Sequence, residues 1–244
     1  MTSKIQNVAK LAQLTFGKCH QEDVFQEYLS KLKNLAAQIT QQDVNFNFDL
    51  INGLKGRSFF GRIRPPAPTI YTGIYENGNF TMGIFALRNQ TSIPLHDHPK
   101  MHGIIKVIFG TVQVTNYTPL PVEGKYTLPN EVMKLVPEYK RDLLVPTICE
   151  GEILLSSDSS QTCTLFPNKY NLHQVSSVNG PAAFLDILSP PYNSLDRECH
   201  YYSIIATIYD DKLNSNITWL LTEMNEPAEF WSDSAPYLGP KVQI

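Results

Sequence analysis

The stretch Ile93-Pro94-Leu95-His96-Asp97-His98-Pro99-Lys100-Met101-His102-Gly103 holds three of the six histidines of this chain. His96 and His98 are two residues apart, so on an extended strand both imidazoles point to the same face. Two imidazoles side by side on one strand can bind a metal if a third ligand comes from elsewhere in the fold. The alternative interpretation is a set of surface histidines, or of buried histidines with ordinary hydrogen-bond partners.

Length, composition and charge limit the class of protein. A chain of 244 residues is long enough for one substantial core, and its 18% of charged residues is typical of a folded protein. The net charge of −3 offers no basic surface for nucleic acid, and no apolar run approaches the length of a membrane span. The first residues lack an apolar signal region, and the four cysteines are widely spaced. We therefore expect a cytoplasmic or nuclear monomer with reduced thiols that binds neither nucleic acid nor membrane.

The first 67 residues are predicted to form a helical extension. Apolar residues recur at helical spacing in two runs, which are Ile5, Val8, Leu11 and Leu14, and then Phe25, Leu29, Leu32, Leu35 and Ile39. Gly17 is predicted to separate the two helices. Because both helices are amphipathic, we expect them to pack on a sheet that belongs to a second unit, residues 68–244.

Short runs rich in β-branched and aromatic residues begin at about residue 68. The runs lie at 69–75, 80–87, 104–109, 111–114, 152–155, 163–166, 182–188, 202–206 and 218–221. Turn residues such as Glu76-Asn77-Gly78-Asn79 separate them. Many short strands at this spacing predict an all-β sandwich or barrel. Residues 118–146 are rich in proline and charge, and are predicted to form a surface excursion.

The spacing around the histidines resembles the first cupin motif, in which two histidines precede a glutamate ligand and a closing glycine. Gly110 fits the closing glycine, and this alignment places Gly103 in the glutamate position, so the usual carboxylate ligand is missing. Cupins are double-sheet jelly rolls. The resemblance implies a cupin double-stranded β-helix with the N-terminal helices packed on it.

A third metal ligand must come from the remaining histidines, which are His20, His102, His173 and His200. His20 lies in the helical N-terminal region, and His102 falls one residue short of the glutamate position. His173 lies about 75 residues after the first pair and enters a strand, where the second cupin motif supplies its histidine. We predict that His96, His98 and His173 bind the metal and that His102 packs beside the site.

Further segments carry a more specific resemblance. They are Asn171-Leu172-His173, then Phe184-Leu185-Asp186-Ile187-Leu188-Ser189-Pro190-Pro191-Tyr192, then Cys199-His200-Tyr201-Tyr202, and Pro236-Tyr237-Leu238-Gly239-Pro240-Lys241-Val242. Together with the histidine stretch they resemble the thiol dioxygenase family of 2-aminoethanethiol dioxygenases and plant cysteine oxidases. The resemblance implies oxidation of a thiol to a sulfinic acid by O2 at one Fe(II) per chain. The implied substrates are cysteamine and the N-terminal cysteine of proteins, whose oxidation marks those proteins for oxygen-dependent degradation.

Three neutral imidazoles leave Fe(II) with its full charge and with open positions for a thiolate and O2. Gly103, in place of a carboxylate, is expected to leave room for the substrate. Binding to the metal deprotonates a thiol, whose unperturbed pKa is about 8.5.

Four other residues complete the predicted site. Asp186 interrupts an apolar run; it is either a structural aspartate satisfied by backbone N–H groups or a group that orients a ligand histidine or the substrate amine, and the resemblance favours a role near the substrate. Tyr192 either points its hydroxyl into the site or packs as an ordinary tyrosine. Cys199 and Tyr201 would share a strand face. They form either a buried pair or, as the resemblance implies, a thioether cross-link made by oxidation at the iron.

Two other functions remain open from the sequence. One is a cupin enzyme that uses a different metal on a small molecule, and the other is a non-catalytic cupin binding module. Metal analysis combined with O2 uptake on thiols distinguishes all three.

Overall fold

The fold is described from a computed structural model, in residues 2–18, 21–48, 58–59, 62–63, 65–121 and 126–244. His20 and much of the boundary predicted near residue 67 lie outside these residues. The helices are α1 (Lys4–Lys18), α2 (Glu22–Ala36) and α3 (Asn130–Leu135), with 3-10 turns at Gln42–Val44 and Glu138–Leu143. The strands are β1 (Ser58–Phe59), β2 (Arg62–Ile63), β3 (Thr69–Glu76), β4 (Thr81–Leu87), β5 (Ser92–Asp97), β6 (His102–Phe109), β7 (Thr111–Pro119), β8 (Leu144–Ser156), β9 (Cys163–Leu165), β10 (Leu172–Ser177), β11 (Ala182–Ser189), β12 (Tyr202–Asp210), β13 (Ser215–Thr222) and β14 (Ser232–Ser234).

Two six-stranded sheets face each other across the main core. The first sheet has the order β14-β3-β4-β11-β6-β9, and the second has the order β12-β13-β8-β7-β10-β5. Alternate residues of each strand point inward, so Phe184 of β11 packs with Val114 of β7 and Val175 of β10. Two facing sheets, antiparallel apart from the pair β14 and β3, form a jelly roll with long crossovers, and the predicted all-β cupin fold is confirmed.

The N-terminal helices cover the outer face of the first sheet, as predicted. Buried residues of α1 and α2, among them Val8 and Leu32, belong to one cluster with Ile104 of β6 and Leu185 of β11. Gly17 does not separate the helices, because α1 continues to Lys18. A Cβ at Gly17 would lie 2.8 Å from Nδ2 of Asn79, so this glycine lets the helix approach the β3–β4 turn.

The predicted surface excursion at 118–146 is wrong for its second half. Val132 and Val136, in and just after α3, are buried against Ile217 and Trp219 of β13. An amphipathic helix of only six residues gives too short a periodic pattern to detect in a proline-rich segment.

None of the helices within the described residues is both long and apolar enough to cross a membrane.

Candidate metal centre

His96, His98 and His173 come together in the interior between the sheets. His96 of β5 is the direct cross-strand partner of His173 in β10, and His98 follows one residue after β5 ends. All three side chains are buried, and the nitrogens that they can offer to a metal lie within 4.8 Å of one another. The two-residue period of a strand places His96 and His98 on one face, while the antiparallel register delivers His173 from 75 residues away.

Hydrogen bonds fix the orientation of two of the imidazoles. Nδ1 of His96 lies 2.8 Å from the carbonyl oxygen of Pro94, which can only accept, so this nitrogen carries the proton. The hydroxyl of Tyr192 donates to the carbonyl of Asp97 at 2.6 Å, so its oxygen accepts from Nδ1 of His98 at 2.7 Å. In both histidines Nε2 is therefore left with a free lone pair, which is what a metal requires.

The nitrogen spacing suits a metal. Nε2 of His98 and Nε2 of His173 are 3.1 Å apart. Two nitrogens that share a metal at about 2.1 Å are roughly 3 Å apart when they subtend a right angle, as neighbouring octahedral ligands do. Nδ1 of His173 is buried and has no hydrogen-bond partner within the described residues.

Burial keeps the three imidazoles neutral, which is the form that binds metals. Loss of solvation lowers the pKa of His96. It lowers the pKa of His98 and His173 well below the usual value, and the neighbouring imidazoles add to the effect. Protonation of any one of the three would place a charge in a dry site next to the other two imidazoles. The cluster therefore stays neutral and can bind a cation that all three imidazoles share.

Gly103 does not leave room for a substrate, and this expectation was wrong. A Cβ at Gly103 would lie 2.8 Å from Cγ of Leu165 and 2.9 Å from Cδ2 of Leu188. Two leucines fill the space that the cupin glutamate would occupy. These apolar side chains therefore leave no place for a further protein ligand at the position of Gly103.

The remaining histidines of the described part lie away from the cluster. His102 points to the opposite face of β6 and packs against Phe25, at a ring distance of 4.9 Å, and against Phe166 at 6.0 Å. His200 donates its backbone N–H to the carboxylate of Asp97 at 2.8 Å, and its Nδ1 lies 3.2 Å from that carboxylate. Tyr202 donates to the same carboxylate at 2.8 Å, so Asp97 ties the start of β12 to the ligand strand.

Asp186 lies on the inner face of the first sheet. Burial raises the pKa of its carboxyl group to about 7. Its Oδ1 is buried and has no hydrogen-bond partner within the described residues. Burial is the main cause of the raised pKa of Tyr192, whose hydroxyl contacts His98, and the charge of Asp186 adds a smaller contribution.

Tyr71 covers one side of Asp186. Gly83 is the cross-strand partner of Asp186, and the place of a Gly83 Cβ is taken by the Tyr71 ring, whose Cε2, Cζ and hydroxyl oxygen lie 2.4–2.7 Å from it. Directly opposite Cβ positions are about 5 Å apart in antiparallel strands, so the hydroxyl of Tyr71 lies near the carboxylate of Asp186. Sequence reasoning missed Tyr71 because only the strand register reveals this contact.

Cys199 and Tyr201 are brought together without sharing a strand. β12 begins at Tyr202, and Tyr201 forms an isolated bridge with His96. Burial is the main reason that the pKa of the Cys199 thiol is raised to about 12, and the nearby side chains of Tyr192 and Tyr201 act in the opposite direction. The hydroxyl of Tyr201 also donates to Glu226 at 3.3 Å. The thioether cross-link stays a prediction.

Comparison with known families identifies one match. The model of the protein family described as PCO_ADO matches residues 32–242. A 2-aminoethanethiol dioxygenase from Mus musculus is 36% identical over 259 aligned positions, which cover 99% of this chain and 97% of the relative. Plant cysteine oxidase 2 from Arabidopsis thaliana is 25% identical over 228 positions, covering 89% of this chain and 75% of the relative.

Among solved structures, a cupin superfamily protein from Desulfitobacterium hafniense matches with a TM-score of 0.33 and 9% identity, over 50% of this chain and 78% of its own. The assignment of a jelly roll depends on the strand order of the two sheets and not on this likeness.

Proposed function

Since the chain belongs to the PCO_ADO family, we propose that it is a thiol dioxygenase that converts cysteamine, or the N-terminal cysteine of a protein or peptide, to its sulfinic acid with O2. The metal is one Fe(II) per chain, bound by His96, His98 and His173. The observation that carries this proposal is a buried cluster of three neutral imidazoles without a carboxylate ligand.

A neutral ligand set favours an anionic substrate ligand. When bound, Fe(II) supplies Lewis acidity toward a thiol and also electrons for O2. Zn(II) cannot supply those electrons. Leu165 and Leu188 close the position of the missing carboxylate, and the pair of hydrogen bonds on His96 and His98 holds their rings in place. The products account for both oxygen atoms, because the thiol and O2 combine to give the sulfinic acid alone.

Asp186 is proposed to bind the amine of the substrate. A buried carboxylate oxygen without a partner carries an unmet hydrogen-bonding requirement, and a substrate ammonium would meet it with a charge-assisted hydrogen bond. The ring of Tyr71 provides an aromatic surface on the same side, which also attracts a cation.

The same carboxylate would select among thiols. Cysteamine and an N-terminal cysteine residue both carry an amine two carbons from the sulfur and lack a free carboxylate there. Free cysteine would bring its own carboxylate toward Asp186, and like charges in a dry site repel strongly. We therefore propose that free cysteine is the poorest substrate of the three.

In the cell, the proposed reaction makes the stability of Cys-initiating proteins depend on O2, because the sulfinic product marks them for degradation. This role requires a cytoplasmic or nuclear location. A protein substrate that begins with cysteine is needed to test this role.

Isotope labelling tests the chemistry. The iron-loaded protein is incubated with cysteamine, a Cys-initiating peptide and free cysteine under 18O2, and the products are examined by mass spectrometry. We expect a mass gain of two oxygen atoms, both labelled, on the first two substrates. Label that enters from water instead of O2 would contradict the dioxygenase reaction.

Zinc-loaded protein is the control, and it should bind the thiol without oxidising it. Equal turnover with zinc would show that no redox-active metal takes part.

A further inference from the structure

A large groove opens on the surface beside the metal centre. Its volume is about 960 Å³, and its lining includes Pro94, Leu95, Gln174, Ile204 and Phe230. Cysteamine has only four non-hydrogen atoms and would fill a small part of this groove. A groove of this volume is typical of sites for much larger ligands. None of the three ligand histidines lines the groove, so it is a separate feature from the metal pocket.

The groove lies between two edge strands of the second sheet. β5 and β12 end the strand order of that sheet, and both contribute to the lining, β5 through Ser92, Pro94 and Leu95 and β12 through Tyr202–Ile204. Among the described residues, backbone pairing between the two edges is limited to the bridge of His96 with Tyr201 and the bond from Asp97 N–H to the His200 carbonyl, both just before β12 begins. The hydroxyl of Tyr202 adds a side-chain bond to Asp97 at the same end. Beyond that contact their edges are unpaired, which is the arrangement that accepts an extended peptide as an added strand.

The groove leads toward the metal centre. Its lining reaches Pro94, whose carbonyl accepts from Nδ1 of His96. Two residues of strand span about 7 Å, so a chain lying along β5 comes within that distance of a metal ligand. Tyr201 lies between the groove and the cluster, since its hydroxyl donates to Glu226 of the lining while its ring is 6.3 Å from that of His96.

The charges of the groove favour a basic occupant. Glu223, Glu226 and Glu229 line it together with a single cation, Lys140. Two of the carboxylates accept hydrogen bonds from neutral hydroxyl groups, those of Ser203 and Tyr201, rather than from cations of the described residues. Met224 and Ile204 add exposed apolar surface at the rim, at 78% and 53% exposure.

From these features we propose that the groove binds the extended segment that follows the cysteine in a polypeptide substrate, and that it prefers a segment carrying lysine or arginine. This inference rests on the proposed function, because the bound segment is continuous with the cysteine at the metal. Backbone hydrogen bonds along the strand edges hold the segment, while the three carboxylates select its charge.

The test compares two peptides and one small thiol on the iron-loaded protein. Both peptides begin with cysteine; one has lysine at three of the following positions, and the other has glutamine at the same positions. The variant is the double change Glu223→Gln and Glu229→Gln, and Glu131→Gln, at an exposed position of α3, is the matched control. KM and kcat are measured by mass spectrometry at low and at high ionic strength.

We expect the double variant to raise KM for the lysine peptide by about threefold to tenfold at low ionic strength, with kcat unchanged. Turnover of cysteamine and of the glutamine peptide should not change, and high salt should remove the difference between the two peptides. The control should behave as the unmodified protein does. Equal KM values for both peptides, or an equal loss on cysteamine, would overturn the inference.

Binding without turnover separates this inference from the proposed function. A fluorescent form of the lysine peptide, with serine in place of the cysteine, is titrated and followed by anisotropy. Weaker binding to the double variant than to the control supports the groove even if no thiol is oxidised. If thiols are oxidised but this peptide binds both variants equally, the groove assignment fails and the proposed function stands.

Discussion

The two sheets bring unlike polar groups to the centre of the fold. On the side of β5 and β10, His96 and His98 are each held by a hydrogen bond on the nitrogen that faces away from the cluster. On the side of β11, Asp186 has an oxygen with no partner and a pKa raised to about 7 by burial. A group whose contacts are complete is positioned in advance, whereas a buried group with an unmet contact is stable only at a cost. His96 and His98 are therefore positioned in advance, whereas Asp186 and Nδ1 of His173 each keep an unmet contact, and we propose that the substrate amine meets that of Asp186.

The strongest way to break this comparison is to remove a ligand. Changing His173 to Ala leaves two imidazoles, so we expect iron content to fall to a small fraction and turnover to be abolished. Metal analysis by mass spectrometry and product formation check both outcomes. His102→Ala, on the opposite face of β6, should keep its iron and serves as the matched control. Full occupancy and activity in the His173 variant would remove His173 from the ligand set.

Removing the support of a ligand should have the next largest effect. Tyr192→Phe deletes the acceptor for Nδ1 of His98, and loss of such a supporting hydrogen bond costs about 10–100-fold in metal affinity or activity. The affinity is measured by competition with a chelator, in parallel with the rate per bound iron. An unchanged metal affinity would mean that Tyr192 only fills space. Tyr202→Phe is the matched control, because it removes a tyrosine hydroxyl that bonds to Asp97 and not to a ligand histidine.

The substrate side is tested by Asp186→Asn. The change keeps the volume and removes the charge, so a lost charge-assisted hydrogen bond should lower turnover per encounter by about tenfold or more. Iron content should not change. Because Oδ1 has no hydrogen-bond partner among the described residues, thermal stability should hold or rise. A lower melting temperature with an intact rate per iron would instead make Asp186 a structural residue.

The last expected effect concerns stability and not activity, and it is a dependence of the unfolding free energy on pH. The pKa of Asp186 is raised from 3.8 to about 7 on folding, so the folded state holds its proton more tightly and loses stability relative to the unfolded state as pH rises between these values. The difference in unfolding free energy between Asp186→Asn and the unmodified protein should therefore grow from pH 4 to about pH 7 and then level off. Urea unfolding of metal-free protein at a series of pH values measures it. A difference that stays flat across this range would place Asp186 in a wetter environment.

The pair His96 and His98 and the strand pattern could be predicted from residues close together in the sequence, whereas His173 was predicted from its likeness to the second cupin motif. The two-residue spacing of His96 and His98 fixes their common face, and alternation of apolar residues fixes the strands. The role of His102 also follows from parity once β6 is known to begin there, since it points away from Gly103 and Ile105. The space at Gly103 could not be predicted, because Leu165 and Leu188 come from distant strands.

Gly17 shows the same limit in the helical region. The sequence favours a helix end at a glycine, since glycine weakens a helix interior. Only the approach of Asn79 from the β3–β4 turn explains why a residue without a side chain sits inside the last turn of α1.

The sequence by itself determined the periodicities, and therefore the elements, the faces of the strands and the pair of histidines that starts the metal cluster. Local spacing is enough for these features because the geometry of a strand or helix repeats over a few residues. Tertiary structure alone decided the partners that lie far apart in the sequence: His173 beside His96, Tyr192 behind His98, Tyr71 over Asp186, and the groove between β5 and β12. These contacts depend on strand register and on the curl of two sheets, and neither is encoded within any short stretch of the chain.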